Sequence, residues 1–128
     1  MHKGFLRTGA ILGALSVLLG AFAAHGLKQY FSDYAVSIFE TAVKYQFYHG
    51  IALLAAGILF KEFPNKLMQW AGVFFIAGTV LFCTSLYALT FVKAAVLPGY
   101  DWIGIITPFG GICFIAGWVL LALAFSRK

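Results

Sequence analysis

Four apolar runs separated by short polar connectors leave this chain few ways to fold. They are Phe5 to Ala24, about Asp33 to Phe60, Leu67 to Phe91, and Thr107 to about Ser126. Crossing about 30 Å of hydrocarbon takes roughly 20 helical residues, and each run is long enough. Together they use most of the 128 residues and leave no soluble domain. The chain is 62% hydrophobic and only 10% charged, with mean hydropathy +0.94. A soluble domain carries about 25% charged residues; a soluble chain with so few could not cover its own apolar surface. The expectation is an all-α, integral membrane four-helix bundle in one domain over residues 1–128. It is multi-pass in the cell membrane, with helices at about 4–24, 33–61, 66–91 and 107–126.

The net charge of +5 does not point to nucleic acid. The nine basic residues are scattered singly or in pairs near the ends of the apolar runs, a placement that suits anionic lipid headgroups. The N-terminus, second connector and C-terminus hold Lys3, Arg7, Lys61, Lys66, Arg127 and Lys128. The other two connectors and their flanks hold Lys28, Lys44 and Lys93. This excess places both termini on the cytoplasmic side. The expected partners are membrane lipids, with a homo-oligomer or a membrane protein partner as further candidates.

The helical wheels sort by residue size. In the first run Gly9, Gly13, Ser16, Gly20 and Ala23 share one face, while Ile11, Leu12, Leu15, Leu18, Leu19 and Phe22 share the other. In lipid, small residues let helix backbones approach closely. Lys3, Arg7, the apolar stretch and Ala21-Phe22-Ala23 resemble a cleavable signal peptide, but the sorted face argues for a retained helix. In the second run Ala42, Tyr45, Gln46, His49, Gly50, Leu53, Ala56 and Gly57 point inward, and Phe47, Ile51, Leu54, Ile58 and Leu59 face lipid. The third run has two small strips: Ala71, Gly78 and Ser85, then Gly72, Thr79 and Cys83. The fourth has Gly110, Cys113, Gly117 and Ala124. Cys83 and Cys113 read as small core residues.

The connectors carry stop and start signals. Gly26 reads as the breaker of the first helix. Ser32 or Asp33 caps the second. Pro64 ends it, and Asn65 caps the third. Val92 to Ile105 is the longest connector, and Thr107 with Pro108 reads as cap and first residue of the fourth helix. Glu40 and Lys44 form an acid-before-base pair at i,i+4.

With this topology His25, Tyr45, Gln46, His49, Ser85, Tyr87 and Thr107 fall in one polar layer near the outer rim, within roughly 10 Å at 1.5 Å rise per residue. The leading interpretation is a hydrogen-bonded clasp between helices. Two rivals are a small site for a lipid headgroup, proton or solute, and an oligomeric transport path lined by His49, Gln46 and Tyr45. The inner halves of the helices are nearly bare of polar side chains, which disfavours transport by one subunit. Two histidines without a carboxylate make a poor metal site. No nucleophile–base–acid set, paired carboxylates, phosphate loop or haem motif is present, so neither an enzyme nor a cofactor is expected.

Several strings resemble the domain of unknown function 423 family, small membrane proteins that include animal relatives. They are Gly20-Ala21-Phe22-Ala23-Ala24-His25-Gly26-Leu27, Tyr45-Gln46-Phe47-Tyr48-His49, the stretch Gly78 to Tyr87, and Ile106-Thr107-Pro108-Phe109-Gly110-Gly111 with Ala116-Gly117-Trp118. The chain departs from that family's pattern at Ala23, where glycine is usual, and at Cys83-Thr84, where Ser-Gly is. The resemblance implies a four-helix integral membrane protein and supplies no activity. Its signature residues coincide with the polar layer.

Overall fold

The structure, a computed structural model, describes residues 1–127. It holds four long helical rods and no strand among the described residues: α1 (Lys3–Tyr30), α2 (Asp33–Leu59), α3 (Lys66–Ala94) and α4 (Ile103–Ala124). By length and composition α1, α3 and α4 can cross a membrane. By the same measure α2 falls short, because Lys44, Tyr45, Gln46, Tyr48 and His49 run through its middle, although it lies alongside α1 and α3 as the fourth rod of the bundle.

Ser32 and Asn65 act as expected: their side chains accept from Ala35 N–H and Met68 N–H, satisfying donors that open α2 and α3. Two other signals act differently from their usual roles. Gly26 does not break α1; the helix passes through a π-turn at Ala23–Leu27 and ends at Tyr30. A second π-turn, Thr79–Cys83, interrupts α3, which continues to Ala94. Thr107 and Pro108 do not open α4. It starts at Ile103, and Pro108 lies inside it. Ile103, Ile105 and Ile106 are apolar, and next to hydrocarbon unbonded backbone groups are costly, which favours winding before the proline. The first turn is closed by Ile103 N–H to Tyr100 O and Gly104 N–H to Asp101 O, both at 3.1 Å.

Neighbours in sequence are neighbours in space: α1 packs on α2, α2 on α3 and α3 on α4. Short connections make each pair antiparallel. The His2 N–H donates to Gly57 O at 2.9 Å. The Asn65 amide donates to Ala124 O at 3.0 Å and Arg127 O at 2.6 Å. The N-terminus, the α2–α3 connector and the end of α4 therefore share one end of the bundle.

The small faces are the contacts. A Cβ on Gly9 would lie 2.7 Å from Gly50 O, and one on Gly117 would lie 2.7 Å from the Phe75 ring. A Cβ on Gly110 would run into the Phe82 backbone. Ile11, Val17, Leu18, Ile112, Ile115 and Val119 stay exposed, at 53–67%. Large apolar side chains left outside on every rod are what hydrocarbon solvent permits.

Candidate functional site

The expected polar residues are brought together in pairs, at different depths. Gln46, His49 and Ser85 are buried; Tyr87 and Thr107 are half-buried. Cα–Cβ bonds tilt toward the N-terminus of their own helix. Gln46 on α2 and Tyr87 on α3 therefore lean toward one another from antiparallel rods. The Tyr87 hydroxyl donates to Gln46 Oε1 at 2.8 Å, and Gln46 Nε2 donates to Leu12 O of α1 at 3.3 Å. One amide thus joins three helices. Nearer the rim away from the termini, the Ser85 and Thr107 hydroxyls bond at 2.7 Å and tie α3 to α4. Cys83 is buried, and its thiol donates to Ala42 O at 3.3 Å.

His49 ties α2 to α4. Its ring lies on Phe114, centroids 3.5 Å apart and planes within 10°. The Trp118 indole N–H donates to His49 Nε2 at 3.1 Å, and Nδ1 lies 2.7 Å from Tyr45 O. These two contacts fix the proton. Nε2 must accept, so Nδ1 carries the hydrogen and donates to the carbonyl. His49 is therefore held as one neutral tautomer, with both nitrogens engaged.

The Ser85 hydroxyl also donates to Phe82 O at 2.9 Å, and three further buried hydroxyls donate to carbonyls of their own helix: Ser16 to Leu12, Thr79 to Phe75 and Thr90 to Leu86, at 2.7–2.8 Å. Among the described residues no buried side-chain nitrogen or oxygen lacks a partner.

Three expectations need correction. The polar residues do not share one narrow layer. Cys83 meets Ala42, so Ser85, two residues further along antiparallel α3, stands near the level of Glu40, about nine residues, roughly 13 Å, from His49. His25 is not part of the cluster. It is exposed and bonds only to Ala21 O at 3.0 Å. The register that sets Gly20 against Val43 puts it about eleven residues, roughly 16 Å, from the level of His49. Glu40 and Lys44 make no ion pair, the contact between Lys93 and Asp101 at 2.9 Å being the one ion pair among the described residues.

Tyr45 stands partly outside, 38% exposed, with its ring stacked on Phe82 at 4.7 Å. It helps wall a lateral groove of about 580 Å³ between α2 and α4, floored by His49, Phe114 and Trp118. Sequence reading missed Trp118. It stood only in a matching string, and the signal that marks it is a lone indole donor on an otherwise apolar helix, which in lipid needs an acceptor.

Comparison with known proteins bears on this arrangement. The model of a family described as "Protein of unknown function (DUF423)" matches residues 19–111. That stretch contains all seven expected polar residues, and Trp118 lies just beyond it. A UPF0382 membrane protein of Staphylococcus aureus (strain bovine RF122 / ET3-1) is 41% identical over 95% of this chain and 94% of its own. One from Staphylococcus haemolyticus is 40% identical with the same coverage. One from Staphylococcus saprophyticus is 39% identical over 94% of this chain and 95% of its own. No solved structure matches. Apolar rods with small-residue contacts and internally paired polar groups describe a membrane protein, the relatives that match it end to end carry that description, and the chain belongs to the DUF423 (UPF0382) family of membrane proteins of unknown function.

Proposed function

We propose that this chain is a non-catalytic membrane module: a multi-pass bundle in the cell membrane, both termini cytoplasmic, whose buried polar groups clasp the helices and whose sides bind lipid or a membrane partner. The observation that carries this reading is that every buried side-chain nitrogen and oxygen among the described residues has an internal partner. Gln46 and His49 are bonded at both ends, so neither is free to relay a proton or hold a solute. No observation favours the transport path through His49, Gln46 and Tyr45. The cytoplasmic assignment rests on charge. Lys3, Arg7, Lys61, Lys66 and Arg127 gather at the shared end, while the far half has Lys28, Lys44 and a Lys93 neutralised by Asp101. Lys128 lies outside the described residues.

The test is paired melting and flux. Tyr87→Phe leaves the Gln46 oxygen without its donor and should cost about 1 kcal/mol in mild detergent. His49→Gln should also melt below wild type. Wild-type protein in vesicles should pass protons no faster than empty vesicles. A proton or solute flux abolished by His49→Gln, with melting unchanged, would overturn the reading.

A further inference from the structure

One stripe on α2 is used by neither the core nor the clasp. Thr41, Lys44 and Tyr48 follow at i, i+3 and i+7, so they share a face, and all three are exposed, Tyr48 at 54%. An apolar groove flanks the stripe on each side. One, of about 270 Å³, lies between α1 and α2 along Val17, Val43 and Phe47. The other is the α2–α4 groove over Phe82 and Phe114. Gly111 helps keep that groove open, since nothing lies within 4 Å of where its Cβ would be. Tyr48 lines both and is the ridge between them.

Lys44 lines the first groove and has no ion-pair partner among the described residues. Among the described residues the Tyr45 and Tyr48 hydroxyls have no hydrogen-bond partner. Counted from Leu59, a core of about 20 residues ends near Glu40, which sets Lys44 about 6 Å inside the rim away from the termini. Its side chain leans toward the N-terminus of α2, which is that rim, so the ammonium snorkels to headgroup level.

We infer that this face holds one anionic, two-chain phospholipid, its phosphate on Lys44 and the tyrosine hydroxyls, one acyl chain in each groove astride Tyr48. An unpaired cation at headgroup depth is complementary to an anionic headgroup. Two grooves parted by a ridge fit two chains, whereas a partner helix needs one continuous trough. The inference rests on the binding-module reading and names its ligand class.

Native mass spectrometry of the full chain in mild detergent tests it, with dioleoylphosphatidylglycerol or dioleoylphosphatidylcholine added. Wild type should retain one phosphatidylglycerol per chain, about five-fold over phosphatidylcholine, the ratio that corresponds to the about 1 kcal/mol one lysine contributes at an anionic surface. Lys44→Gln should bring that ratio near one without lowering the melting temperature. Glu40→Gln, which removes the carboxylate one turn away, should raise it. Gly111→Phe should lower retention of both lipids. Equal retention by wild type overturns the inference. So does a Lys44→Gln chain that keeps its preference, or a dimer whose interface covers Tyr48 and excludes lipid. Failure of the clasp appears instead in the melting of His49 and Tyr87 variants and leaves the lipid ratio untouched.

Discussion

His49 shows how much a single side chain is asked to do where water is absent. Its two nitrogens are spoken for by Tyr45 O and the Trp118 indole, and its face by Phe114. Removing the indole N–H while keeping a ring, as in Trp118→Phe, should cost about 0.6 kcal/mol, the average for an interhelical bond in lipid. A double-mutant cycle with His49→Leu should return a coupling of that size, measured by unfolding in detergent; additivity would deny the bond. The inward direction of Gln46 and His49 was legible in the sequence, because small residues share their face. The partner was not. A wheel shows which way a side chain points, and only packing decides which helix meets it, so Trp118 went unseen. His25 was misplaced for a related reason. Sequence order put it near the end of the first helix, but the register of α1 on α2 carries it about eleven residues from the level of His49.

At the scale of the helix, adjacent glycines should behave differently. Gly110→Ala drives a Cβ into the Phe82 backbone, which cannot rotate away, whereas Gly111→Ala meets open space. The first should cost about 1–3 kcal/mol and the second very little, by thermal melting. Similar costs at both would show that α3 and α4 are not packed this closely. Asn65 caps α3 and donates to two carbonyls at the end of α4. Asn65→Ala should therefore cost more than a cap alone, about 1–2 kcal/mol. Helix existence and small-residue faces were legible, but several ends were not. Gly26 and the Thr107-Pro108 pair are stop and start signals learned from water, where a freed carbonyl is solvated. At a membrane boundary the backbone keeps winding, through a π-turn at Ala23–Leu27 and through Ile103 to Thr107 ahead of the proline. Nothing in the sequence marked either π-turn.

For the whole molecule, the bundle is sided. Basic residues crowd the end that holds Lys3, Lys61, Lys66 and Arg127. With both endogenous cysteines replaced, a single cysteine at Lys61 should react with a membrane-impermeant maleimide only after permeabilisation, and one at Lys93 in intact cells. The reverse would invert the topology. Beneath these predictions lies one claim: hydrocarbon gives the buried polar side chains no company but each other, so they pair in a dry interior. The ¹⁵N spectrum of the His49 imidazole, recorded on the protein in lipid nanodiscs at neutral pH, tests this most directly. A single neutral tautomer protonated at Nδ1, unaveraged by exchange with water, is the predicted result. A ring protonated at Nε2, charged, or exchanging freely with solvent would contradict it.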